Sequence, residues 1–193
     1  NPPRRIVLSN TELTELKTCL AEAARRLFVA GFVLPLEGNL SVRIPGEEAM
    51  VITPTGNRYS DLSADDMVVV RFDGSVDKGR SGNRGPSSEH RFHAAVLSGK
   101  PRAGAVVHVH PPETTAHAVW RRQIPAIVEE SITLLGGPVP CAPYRRSATE
   151  GLVEVILESL GHRNAVMLAN HGLLTCGRRL EDAVDAAMVV EKL

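Results

Sequence analysis

The sequence predicts a single α/β domain of three layers, with a central mixed, mainly antiparallel sheet held between helices. Three observations carry that expectation. The 193 residues are 43% hydrophobic, enough for one substantial core and too few for two large domains. Short alternating apolar and polar runs, punctuated by Gly, Pro and Asp, crowd the early part of the chain. From Pro86 onward, helical stripes and apolar strand-like runs take turns. There is no internal repeat, low-complexity tract or dividing linker, so the expected domain spans residues 1–193.

Each element has its own signal. Ser9-Asn10-Thr11-Glu12 places a capping residue ahead of Leu13, Leu16, Leu20, Ala23, Ala24 and Leu27, a stripe that stops at Gly31 and predicts an amphipathic first helix. Strands are expected at Leu40-Ser41-Val42-Arg43-Ile44, Val51-Ile52-Thr53 and Met67-Val68-Val69-Val70. Residues 77–85, glycine-rich and charged, predict a surface loop. Pro86-Ser87-Ser88-Glu89 should open a helix that runs to about Ser98 and ends at Gly99. Ala105-Val106-Val107-His108-Val109-His110 is expected to be a buried strand, with a helix beginning near Pro111-Pro112. Ser147-Ala148-Thr149-Glu150 matches a capping box before Leu152, Val153, Ile156, Leu157 and Leu160. A strand through Ala165-Val166-Met167-Leu168, a turn at Asn170-His171-Gly172, a strand at Leu173-Leu174-Thr175 and a last helix from about Leu180 complete the chain.

Composition narrows the function. With 22 Lys+Arg against 22 Asp+Glu, no chain-wide field exists to attract nucleic acid or an anionic membrane. No apolar run approaches the roughly 18 residues of a membrane span, and the Arg4-Arg5 pair precedes too short an apolar stretch for an export address. A cytoplasmic protein is expected. Cys19, Cys141 and Cys176 are too few and too far apart for a disulfide framework or a metal knuckle, and read as core or near-core residues.

Histidine carries the chemistry. His108 and His110 stand two apart in a strand, where side chains repeat their direction every second residue, so both imidazoles leave one face. Paired histidines can simply hydrogen-bond to their neighbours, but His171, in a short turn after another apolar strand, can reach the same space. Three neutral imidazoles suit Zn²⁺ or another late divalent metal and leave a position open for water or a substrate oxygen. Glu89 offers a fourth ligand or a proton-transferring carboxylate, against the plainer role of a first-turn glutamate favoured by the helix dipole. His93, four residues on along the same helical face, offers a rival site with Glu89 but ranks second and is expected to be buried or behind the ligands; His90 should point elsewhere, and His117 and His162 have no evident partner.

Three segments suit an anion. Ser87 and Ser88 offer hydroxyls and backbone N–H groups at a helix N-terminus. Thr53-Pro54-Thr55-Gly56 follows a strand with a glycine that admits close approach, and Gly38-Asn39 presents an amide before another strand.

In this order, Gly38-Asn39-Leu40-Ser41, Thr53-Pro54-Thr55-Gly56, Pro86-Ser87-Ser88-Glu89, Val107-His108-Val109-His110 and Asn170-His171-Gly172 resemble the class II aldolase/adducin family. The likeness runs from about residue 10 to 193 and takes in Arg91-Phe92-His93, Ile124-Pro125-Ala126 and Cys141-Ala142-Pro143-Tyr144. It implies a divalent metal, by default zinc, on His108, His110 and His171, with Glu89 as acid/base or further ligand. It implies a substrate phosphate held by Asn39, Thr55, Gly56, Ser87 and Ser88, and a homotetramer with its sites at subunit junctions. The implied reaction is cleavage of a phosphorylated ketose to dihydroxyacetone phosphate and a short aldehyde through an enediolate. Sibling lyase, 4-epimerase, dehydratase or decarboxylase reactions, and a non-catalytic adducin-like module, are the alternatives. One departure stands out. Where the family's aldolases carry an aromatic proton donor after Ala126-Ile127, this chain has Val128-Glu129-Glu130-Ser131, and the sequence stops at Leu193, short of the tail that lends a second tyrosine in those aldolases. Glu129, Glu130 or water is expected to serve instead.

Overall fold

Seven strands form the sheet of this computed structural model, which describes residues 8–56 and 58–193. The Arg4-Arg5 pair lies outside the described residues. In chain order the elements are α1 (Asn10–Val29), β1 (Asn39–Arg43), β2 (Ala49–Ile52), β3 (Val68–Arg71), α2 (His90–Gly99), β4 (Ala105–Val109), α3 (Pro112–Trp120), α4 (Glu129–Thr133), β5 (Cys141–Ala142), α5 (Glu150–Leu160), β6 (Ala165–Leu168), β7 (Gly172–Gly177) and α6 (Leu180–Lys192), with short 3₁₀ turns at Tyr59–Asp61 and Ala64–Asp66. The strand order is β3-β2-β1-β4-β7-β6-β5, and every pairing is antiparallel except β5 with β6. The sheet is therefore mixed and mainly antiparallel, as its alternating runs predict.

Strand alternation divides the core in two. Leu40, Val42, Val107, Val109 and Leu173 face one side, against Leu20, Ala24 and Leu27 of α1 and Ala183 and Ala187 of α6. Val106, Val166 and Leu174 face the other, against Phe92 and Leu97 of α2 and Leu152 and Ile156 of α5. Helices on both faces make the three layers. The first helix starts as its sequence indicates: Ser9 accepts from the Glu12 N–H at 3.3 Å while Glu12 reaches back to the Ser9 N–H at 2.7 Å.

Three local expectations need correction. Helix α2 begins at His90, not within Pro86–Ser88, so Ser87 and Ser88 occupy a turn ahead of it and Glu89 is its cap residue. Helix α5 is capped by Thr149, which accepts from the Leu152 N–H, and not by Ser147; Ala148 at φ 61° turns the chain between the two. Residues 77–85 form the expected surface loop, in which Arg80 binds both Glu47 oxygens at 2.9 and 2.8 Å and Asp77 at 2.9 Å and so pins it to the β1–β2 connection. Cys19 is exposed on α1, whereas Cys141 is half-buried and Cys176 fully buried, its thiol pushed up to about 11 by burial.

Candidate metal centre

The centre forms where β1, β4 and β7 meet at one edge of their ladders. Asn39 pairs with His108 in the β1–β4 register, and His108 faces Leu174 across β4–β7. His110 leaves β4 just past its end, held by its N–H to the Phe32 carbonyl at 2.8 Å. The turn that delivers His171 has Asn170 at φ 56° and then Gly172. A Cβ on Gly172 would lie 2.4 Å from the His110 ring and 2.6 Å from the Val109 carbonyl, so this position must be glycine for the rings to meet. Gly38 is as tightly constrained, with φ 67° and a Cβ that would meet the His108 carbonyl at 2.7 Å.

The imidazoles converge through their Nε2 atoms. His108 Nε2 is 3.1 Å from His110 Nε2 and 3.2 Å from His171 Nε2. His108 Nδ1 donates to the Leu173 carbonyl at 2.9 Å, which turns its unprotonated Nε2 into the cluster. One lone pair can accept one proton, so two close nitrogen neighbours leave it over-supplied unless a cation lies among them. Donors around a tetrahedral ion with metal–nitrogen bonds of about 2.0–2.1 Å sit roughly 3.3 Å apart. The observed spacing and donor chemistry fit a divalent ion held by His108, His110 and His171, three donors that lie within 4.8 Å of one another.

Glu89 closes the fourth side. Its Oε2 is 3.4 Å from His108 Nε2 and its Oε1 3.4 Å from His171 Nε2. The carboxylate does not cap α2. It instead accepts from Asn39 Nδ2 at 2.9 Å and from the Ser147 hydroxyl at 2.6 Å. Behind Asn39, its Oδ1 accepts from His93 Nε2 at 2.5 Å, and His93 Nδ1 accepts from the Ser41 hydroxyl at 2.7 Å. Every donor in this buried chain points toward Glu89, whose two oxygens are its terminal acceptors. Burial opposes the charge, but His108 and the Ser147 and Asn39 hydrogen bonds hold the carboxyl at about 2. Burial also lowers His108 well below the ordinary histidine range and His171 in the same direction, and takes His93 to about 3. Neutral imidazoles facing an ionised carboxylate are the protonation states that metal binding needs.

The residues singled out for a phosphate come together as well. Asn39, Thr55, Gly56, Ser87, Ser88, Glu89, His110 and His171 line one cleft of about 240 Å³, with His108 fully buried at its floor. Thr55, Gly56 and Ser88 are exposed on its outer wall. A larger hollow of about 640 Å³ beside Leu27, Val29, Val184 and Met188 contains no histidine. Away from the cleft, His90 binds the Ser87 carbonyl at 2.8 Å, His117 stands beside Trp120 and His162 is exposed. Glu129 and Glu130 open α4 and are exposed, and neither lines the cleft.

Sequence reasoning missed three polar residues of the cleft, Ser147, Tyr59 and Glu37, and the apolar Leu36. Glu37 Oε2 is 3.4 Å from His110 Nδ1, and the buried Tyr59 hydroxyl donates to the Glu37 carbonyl at 2.7 Å. The Gly38 turn next to Glu37 is the one local signal that marked this stretch.

A histidine triad and a carboxylate at the edge of a three-layer α/β sheet form a donor set that could hold a metal ion. Residues 18–193 match the family described as Class II Aldolase and Adducin N-terminal domain, and the chain belongs to that family. It is 40% identical over 156 residues to the L-fuculose phosphate aldolase of Escherichia coli K12, covering 81% of this chain and 70% of the relative. It is 32% identical over 192 residues to the L-ribulose-5-phosphate 4-epimerase UlaF of Salmonella paratyphi B, covering 94% and 83%. A solved L-fuculose 1-phosphate aldolase superposes with a TM-score of 0.86 at 30% identity, over 92% of this chain and 82% of that one. No helix among the described residues is long and apolar enough to cross a membrane.

Proposed function

We propose that this protein is a metal-dependent aldolase that cleaves a phosphorylated ketose, such as L-fuculose 1-phosphate, to dihydroxyacetone phosphate and a short aldehyde. The observation that carries the reading is the convergence of three imidazoles with an ionised carboxylate 3.4 Å from two of them, at the mouth of a polar cleft. His108, His110 and His171 would hold the ion, zinc by the nature of the donors. A bound divalent ion supplies electrostatic stabilisation for the negative charge that cleavage beside a ketone leaves on oxygen.

The chain's own groups do the rest. Glu89, ionised and within reach of a substrate lying over the histidines, takes up or returns the proton of the carbon or hydroxyl that changes state. Thr55, Gly56, Ser87, Ser88 and Asn39 bind and orient the phosphate, so that remote binding energy is spent on alignment. The reading includes cytoplasmic carbohydrate metabolism and a homotetramer with clefts at subunit junctions, which light scattering of the purified protein measures. The intact donor set favours this enzyme over a non-catalytic adducin-like module.

The deciding experiment offers a panel of phosphoketoses to zinc-replete protein and follows dihydroxyacetone phosphate with a coupled assay, alongside Glu89→Gln. Release from at least one ketose, slowed by about 10²–10⁴ in the variant, supports the reading. No release from any of them, with epimerised or dehydrated products instead, assigns a sibling reaction.

A further inference from the structure

Glu89 is held by a hydrogen bond on each oxygen, and one of the two donors lies far along the chain. Ser147 sits in the exposed segment between β5 and α5, where Ala148 at φ 61° turns the backbone ahead of the Thr149 cap. Since Thr149 caps α5, the Ser147 hydroxyl is free of the helix and crosses 58 positions of sequence to donate to Glu89 Oε1 at 2.6 Å. The other oxygen is held by Asn39, itself fixed by His93 and Ser41. Glu89 thus has one hydrogen-bond donor on each oxygen, from opposite walls of the cleft, one wall buried and one open to solvent.

We propose that Ser147 is a positioning residue that clamps the Glu89 carboxylate beside the metal donors in the orientation proton transfer needs. The inference rests on the aldolase reading for its kinetic arm alone. A hydroxyl donating to Oε1, opposite the Asn39 amide on Oε2, fixes the plane in which the carboxylate meets a substrate proton. Asn39 by itself would leave the carboxylate free to rotate about its single hydrogen bond.

The test uses Ser147→Ala, Ser147→Thr, Glu89→Gln and the Ser147→Ala/Glu89→Gln double variant of the whole chain. Ser147 is exposed, so these substitutions leave the core untouched. Kinetics on the best phosphoketose should show kcat about tenfold lower in Ser147→Ala with KM little changed, and recovery in Ser147→Thr. In the Glu89→Gln background the same alanine should have no further effect, because Ser147 acts through that carboxylate. Zinc affinity, measured by competition with a chromophoric chelator, should stay within about twofold in Ser147→Ala, because the hydroxyl acts on proton transfer and not on metal retention. An unchanged kcat, or an equal loss in the Glu89→Gln background, overturns the proposal. So does a zinc affinity weaker by about ten- to a hundredfold, the loss expected when a hydrogen bond behind a true ligand is removed. If the wild type cleaves no phosphoketose, the aldolase reading fails, and the same kcat comparison on the sugar phosphate it epimerises or dehydrates decides the clamp.

Discussion

The two faces of the sheet are built from the same strands and do opposite work. On the face covered by α1 and α6, every inward residue of β1 and β4 is aliphatic: Leu40, Val42, Ala105, Val107 and Val109. On the face covered by α2 and α5, the same two strands present Ser41 with Asn39, and Val106 with His108, so the apolar layer gives way to a buried polar chain toward the cleft. A strand turns successive side chains to opposite faces, so one sequence can supply a packed layer and a reactive layer at once. Cost is divided along the same line. The apolar face gains from burial without needing partners, whereas each polar group on the other face is tolerable only because a hydrogen bond or a cation satisfies it.

The sharpest way to break this contrast is to remove a donor from the reactive face. His108→Ala should abolish detectable turnover, a loss of at least about 10³, and release zinc from the purified protein, while far-ultraviolet circular dichroism stays unchanged. Treating the wild type with a chelator should give the same loss, and added zinc should restore it. A His108→Ala protein that keeps stoichiometric zinc would show that the triad is not the metal site.

The complementary substitution belongs on the other face. Leu20 is fully buried in α1 against the sheet, remote from the cleft. Leu20→Ala should cost about 2–5 kcal/mol of stability in denaturant melts through lost burial and a residual cavity, with kcat unchanged at temperatures where the variant is folded. If activity fell in proportion to stability, the two faces would be coupled and the division of labour would fail.

How much of this was legible beforehand follows from the range of each signal. The pairing of His108 with His110 and the start of α1 depend on neighbours two to four residues away, and periodicity exposes both. Glu89 stood out because it follows Ser87-Ser88, although its reason for being there is not the helix dipole. Ser147 was hidden by a genuine local pattern: Ser-x-x-Glu also describes a capping box, and only the fold shows that Thr149 takes that role and frees Ser147 for Glu89. The two-residue β5 and five-residue α4 are too short to display a period, and rest on neighbours distant in sequence, such as the parallel pairing of Cys141 with Met167. Gly172 shows the opposite case. Its place after His171 was read as a turn, whereas the His110 ring packed against it explains why no side chain fits.

His93 sharpens the comparison in quantitative form, because it is the titratable group buried deepest behind the reactive face without belonging to the metal donors. Both its nitrogens are committed, one donating to Asn39 and the other accepting from Ser41, and its ring stacks on Phe92 at 4.8 Å. Burial outweighs the attraction of Glu89 and holds it at about 3, against an ordinary value of 6.5. The folded protein therefore binds fewer protons here than the unfolded chain between those two values. The stability this residue contributes is complete above about pH 6.5 and drains away as the pH falls toward 3, with a limiting slope of about 1.4 kcal/mol per unit. His93→Gln keeps polar atoms that can reach the same partners but cannot titrate, so comparing its melts with those of the wild type in zinc-replete buffer from pH 7 to pH 5 isolates the term. The variant should lose stability less steeply than the wild type over that window. Parallel profiles would mean that His93 keeps its proton on folding, and that the polar layer accommodates a charge its hydrogen-bond directions forbid.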